Sequence, residues 1–158
     1  ITREAAKLAV LCAMYGAGNA TLKSQLKKQG LDTSPDYLIK KVKEYFGVSD
    51  LVKKLRAQLS TSGMIFNYFG RPINVDDNRD SLLLNNYLQS TAVDVALLGF
   101  SKFCQELGDK VLPLFIIHDA LFFEAKDIDF AEICEYLSNG FSIESFGNFP
   151  LKITEFEV

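Results

Sequence analysis

Helical spacing of the apolar residues runs through the front of the chain and gives way at Gly63 to short, strand-like apolar runs. Residues 2–15 read as a helix, with Gly16-Ala17-Gly18 as a stop or hinge behind it. Residues 20–29 read as a second helix, ended by Gly30. Ser34-Pro35 offers an N-cap and a proline at the first helical position for a helix to about Phe46, and Ser49 caps another to about Leu59. Residues 64–69 and 72–75 then form an expected hairpin with its turn near Gly70. Arg79 to about Phe103 is helical again, with Leu84, Leu88, Ala92, Val95 and Gly99 on the core stripe. Leu112–Ile117 and Leu121–Phe123 are too short for helices and read as antiparallel strands around a turn at His118-Asp119-Ala120. Asp129 with Glu132 is a capping-box variant opening a helix that Gly140 ends, and Leu151–Phe156 alternates as a last strand. The expected fold class is α+β, a helical front lobe followed by a lobe with a small antiparallel sheet.

Composition adds three things. A chain of 158 residues, 48% of them apolar, buries a core sufficient for one domain or two small lobes. It has no membrane-spanning run and no signal-peptide pattern, and its start at Ile1 rather than Met points to a fragment or a processed piece. Cys12, Cys104 and Cys134 are an odd, scattered set without metal-ligand spacing, as expected of reduced thiols in the cytosol. The net charge of −3 conceals an asymmetry: residues 1–58 hold eleven Lys/Arg against five Asp/Glu, and residues 59–158 hold six against fifteen. A basic front suits phosphates and an acidic back suits divalent cations, although two solvated faces account for the same counts.

The candidate chemistry is concentrated at a few positions. Arg3, Lys7, Leu11 and Tyr15 recur every four residues, so on a helix they drift by only about 40° per step and share one face. Two cations, an apolar wall and a ring in line suit a nucleotide, and the same pattern also fits a solvated face beside core residues. Asn85 and Gln89 lie one helical turn apart, and Asp119 sits where a tight turn holds a carboxylate out of the sheet.

Arg3-Glu-Ala-Ala-Lys7 with Tyr15-Gly16 resembles the O helix (motif B) of the family A DNA polymerases, the bacterial DNA polymerase I and bacteriophage replicative type. Phe69-Gly70-Arg71 resembles the family's Phe-Gly-Arg-Arg hairpin, with Pro72 for the second Arg. The stretch Leu84 to Asp94 resembles its Asn-x-x-x-Gln-Gly-Thr-Ala-Ala-Asp helix, with Ser90 for Gly, and Ile117-His118-Asp119-Ala120 resembles motif C, Val-His-Asp-Glu. Four motifs in the family's order cover essentially the whole chain. The resemblance implies helical fingers over 1–62 and the C-terminal part of a palm, with its catalytic hairpin, over 63–158.

It also implies a role for each residue. Arg3 and Lys7 hold the triphosphate of the incoming dNTP, Leu11 lies against sugar and base where the family often has Phe or Tyr, and Tyr15 packs beside the templating base. His118 contacts the primer terminus, while Asn85 and Gln89 face the minor groove, whose acceptors occupy similar positions in every correct pair. Arg71 and Arg79 are candidates for phosphate contacts, Arg79 in place of the Arg the family carries where Ser81 stands. Asp119 is the metal ligand and, with Lys7, the catalytic residue, serving two expected Mg²⁺ ions. Ala120 replaces the family's usual Glu, the more dispensable carboxylate of its trio.

The family's other essential Asp belongs to motif A, upstream of the O helix. The expected partners are therefore primer-template DNA, dNTPs and an upstream segment or split subunit bringing motif A, with no membrane. The expected location is the cytoplasm of a bacterial or phage-infected cell. The alternatives are a segment of a bacteriophage-type single-subunit RNA polymerase, disfavoured by the Asn85–Asp94 string, and a non-catalytic DNA-binding remnant.

Overall fold

Small residues form the inner seam of the first helix. In the computed structural model, which describes residues 2–15, 19–28, 30–31, 34–117 and 119–155, α1 (Arg3–Tyr15) buries Ala5, Ala9, Cys12 and Ala13. The Thr2 hydroxyl accepts from the Ala5 amide at 3.3 Å and so takes up one of the amides a helix start leaves unpaired. Ala5, Ala9 and Cys12 pack on Leu22 and Leu26 of α2 (Asn19–Lys28) and Leu38 of α3 (Pro35–Tyr45). Burial pushes the Cys12 thiol above its ordinary pKa. The expected stop at 16–18 lies outside the described residues.

Two expected helix starts differ in their chemistry. Ser34 sits at the N-cap of α3 with Pro35 behind it, but its side chain makes no cap bond, leaving the proline as the start signal. The next helix, α4 (Val48–Ser62), is capped by Gly47 in the left-handed region rather than by Ser49, which lies inside it. Gly63, also left-handed, ends α4 by donating its amide to the Leu59 carbonyl at 2.9 Å. β1 (Ile65–Phe66) and β2 (Pro72–Ile73) pair antiparallel, with Ile65 opposite Ile73 and Gly70 at positive φ in the turn. Leu55, Ile65 and Leu83 form the core beneath this hairpin.

The long helix α5 (Asp80–Leu107) ends four residues beyond the expected Phe103. Leu84, Val95 and Gly99 are buried as expected, but Ala92 is exposed and Thr91 takes the inward place. The helical period explains this: seven residues on from Leu84 is within about 20° of its direction, and eight is about 80° away.

Residues 1–91 and 92–158 form two compact units, the division falling within α5. The second unit contains the hairpin of β3 (Val111–Ile117) and β4 (Ala120–Ala125), followed by α6 (Phe130–Ser138). Phe103, Leu107, Val111, Ile133 and Leu137 are its core. Five β3 side chains, Leu112, Leu114, Phe115, Ile116 and Ile117, stay between 42% and 59% exposed. Asp129 makes no cap bond, and Glu132 instead receives the Lys110 ammonium at 2.5 Å and 2.6 Å, so no capping box forms.

The end of the chain departs most from expectation. Residues 151–155 form no strand, and an unforeseen hairpin, β5 (Phe141–Ile143) with β6 (Gly147–Phe149), precedes them. Leu151 and Ile153 still pack on the core, so their alternation reflects burial without strand pairing. Phe156 lies outside the described residues.

Gly140 has φ +67° and would bring a Cβ within 2.2 Å of the Phe149 carbonyl oxygen, whereas Gly47, at φ +60°, faces open space. Gly47→Ala therefore carries only the left-handed penalty, about 1–2 kcal/mol. Gly140→Ala adds a backbone clash and is expected to cost more than Gly47→Ala, a ranking that urea unfolding of the two variants checks.

Candidate functional site

The inward turn of Ala5, Ala9 and Cys12 leaves Arg3, Lys7, Leu11 and Tyr15 on the opposite, exposed face of α1, with Leu11 37% and Tyr15 41% exposed. Leu11 and Tyr15 are thus not core residues. Somewhat over three turns of helix carry the two cations, the apolar wall and the ring along about 18 Å. Among the described residues, no carboxylate forms a salt bridge with Arg3 or Lys7.

Asp119 occupies the loop between β3 and β4 and is exposed, as the hairpin reading requires. Ile117 pairs with Ala120 directly across it, so the loop is two residues long and Ala120 belongs to β4 rather than to the turn. His118 lies outside the described residues. Among the described residues, no three His, Cys, Asp or Glu side chains come together as a metal-binding group.

The two DNA-facing candidates read from separate stretches, the Arg71 hairpin and the Asn85–Gln89 helix, are joined in the structure. Arg71 donates from Nη2 to the Ser90 carbonyl at 3.2 Å, and the Tyr68 amide donates to the Thr91 hydroxyl at 3.3 Å. Behind this contact stands Asn67, 5% exposed, which sequence reasoning passed over. Its Oδ1 accepts from the Phe69 and Arg71 amides at 3.0 and 2.9 Å, and its Nδ2 donates to Ser90 Oγ at 3.0 Å. An Asn three residues before the Gly of a turn was the available signal, since Asx side chains bond amides two residues on. Gln89 is exposed, and Asn85 is half-buried with its Oδ1 enclosed and lacking a hydrogen-bond partner among the described residues.

No family model matches the chain. The polymerase (POL) domain of Pol1 from M. smegmatis, solved in complex with DNA primer-template and dNTP, superposes with a TM-score of 0.55. That match has 22% identity and covers 84% of this chain and 26% of that one. DNA polymerase I of Rhizobium leguminosarum is 28% identical over 142 residues, 80% of this chain and 14% of that protein. The chain has the fold of part of a DNA polymerase I polymerase domain. It spans about a seventh of the Rhizobium DNA polymerase I, so its similarity is to a polymerase portion.

Arg79 is held by a neighbouring carboxylate. Its Nε donates to Asp77 Oδ2 at 2.8 Å and its amide to Asp77 Oδ1 at 2.9 Å, so a phosphate must compete with a local carboxylate for it. Among the described residues, no helix is long and apolar enough to cross a membrane. Cys12, Cys104 and Cys134 are free.

The amide and side-chain bonds from Arg79 hold the Asp77 carboxyl below the usual carboxylate range. The folded pKa is lowered, so the pair's contribution is present above the unfolded value of 3.8 and is lost as pH falls through the folded one. An NMR titration is expected to show the Asp77 carboxyl and the Arg79 Nε–H shifting together, at lower pH than an unpaired Asp.

Proposed function

We propose that the chain is the fingers and C-terminal palm portion, 1–62 and 63–158, of a template-directed DNA polymerase of family A. It binds dNTP and primer-template DNA and takes part in nucleotidyl transfer to the primer 3′-hydroxyl. The observation that carries this reading is the exposed Arg3–Lys7–Leu11–Tyr15 face, opposite a fully buried seam, in a chain with a DNA polymerase I fold. The Pol1 domain it resembles was solved with primer-template and dNTP, the two ligands that this face and the Arg71–Gln89 surface suit.

Each residue then has a physical task. Arg3 and Lys7 bind the triphosphate by charge-assisted hydrogen bonds, each worth about 1.5–3 kcal/mol. Leu11 walls the sugar and base without ring stacking, and Tyr15 packs by the templating base. Asn85 and Gln89 donate from their side-chain amide nitrogens to acceptors in the minor groove. His118, Arg71 and Arg79 contact the primer end and phosphates.

Asp119 is the one metal-binding carboxylate that the resemblance assigns to this chain, and a single carboxylate does not hold two Mg²⁺ ions. The ions, which would activate the 3′-hydroxyl and neutralise the leaving pyrophosphate, therefore belong to a site completed by motif A from an upstream segment or a partner subunit. The exposed apolar β3 face supports this, because a lone two-stranded hairpin is marginal in water and so apolar a surface favours cover. A second reading, a non-catalytic DNA-binding remnant, is favoured by Ala120 where the family has Glu.

Primer extension with Mg²⁺ and four dNTPs, by the chain alone and with a motif A segment supplied in cis or in trans, separates the two. Extension by the completed form alone supports the polymerase, and a folded, DNA-binding but inert complex supports the remnant. In the active form, Asp119→Asn is expected to abolish extension with primer-template affinity retained, and equal loss of both would point to misfolding. Lys7→Ala is expected to weaken dNTP use by about tenfold or more. An unchanged dNTP dependence would remove Lys7 from the triphosphate site.

A further inference from the structure

We infer that Asn67 is a positioning residue for duplex binding. With the Ser90 hydroxyl, it holds Arg71 in register with Asn85 and Gln89, so that the cation and the amides meet DNA as one surface. The inference rests on the DNA contacts proposed for those three residues.

Asn67 uses every polar atom it has. Its amide donates to the Arg71 carbonyl, and its own carbonyl accepts from Gly70, each at 3.0 Å. Its Oδ1 takes the Phe69 and Arg71 amides, which closes the turn. Those bonds would suffice for a turn alone. The remaining group, Nδ2, leaves the hairpin and reaches Ser90 Oγ on α5, one residue past Gln89. The Arg71 guanidinium makes the same crossing, to the Ser90 carbonyl. One residue of α5 thus receives both the side chain that shapes the turn and the side chain that the turn presents.

Ser90 stands where the family resembled has Gly, and a Gly there would deprive a nearly buried Asn67 amide of this acceptor. The departure therefore has a function: it supplies the hydroxyl that ties the hairpin to the amide-bearing helix. A guanidinium with five donors in a rigid fork meets a phosphate well only when it is set in advance; Asn67 holds the Arg71 backbone and ties the turn to Ser90, whose carbonyl the guanidinium meets.

The test is anisotropy of a labelled primer-template titrated with the full chain at several salt concentrations. Arg71→Ala, Asn67→Ala and the double variant are compared, with a thermal melt on each. Arg71→Ala is expected to weaken binding by up to about tenfold and to reduce the salt slope by about one phosphate contact. If Asn67 positions Arg71, Asn67→Ala lowers the salt slope likewise, and the double variant binds no worse than Arg71→Ala alone. Additive losses, or an Asn67→Ala chain with an undiminished salt slope, overturn the inference while leaving the Arg71 contact standing. Unchanged affinity in Arg71→Ala overturns the DNA contact itself, and the inference with it. Should Asn67→Ala fail to fold, Ser90→Ala runs the same cycle, because it removes the hydroxyl and keeps the carbonyl that Arg71 uses.

Discussion

The helical period of α1 is the constraint on which the proposed nucleotide face depends. A helix that turns Ala5, Ala9, Cys12 and Ala13 into a seam against α2 and α3 has no freedom over where Arg3, Lys7, Leu11 and Tyr15 point. The small side chains matter as much as the spacing. They hold the backbone close to its neighbours and leave the long side chains nothing to do but face outward.

A comparable economy governs the Arg71 hairpin, whose strands are two residues each and cannot hold a register by themselves. Packing of Ile65 against Leu55 and Leu83 fixes one end. Hydrogen bonds from Asn67, Tyr68 and Arg71 to Ser90 and Thr91 fix the other. The buried Thr91 hydroxyl is satisfied by this contact, which reconciles a polar residue with the inward stripe of α5.

Local signals were legible where periodicity and burial agree. The α1 face, the Gly70 turn and the Asp119 hairpin all follow from spacing read directly. Legibility failed where a residue has two competing uses. Ser49 and Asp129 have the chemistry of caps, yet left-handed Gly47 and a 3-10 turn start those helices instead. Glu132 was read as half of a capping box and is engaged by Lys110, a partner twenty-two residues away that no local pattern reveals. Alternation over 151–155 marked burial correctly and strand pairing wrongly, since pairing needs a second strand. Asn67 was missed for the same reason: its importance lies in Ser90, on a different element.

The seam beneath α1 has a chemical consequence of its own. Cys12 is buried in it with its thiol pKa pushed up, so neither access nor thiolate favours reaction while the helix is seated. Its sulfur becomes open to alkylation only when α1 lifts away from α2 and α3. The chain thus contains a native covalent reporter beneath the exposed Arg3–Tyr15 face, whose labelling rate measures how often that helix leaves its seat.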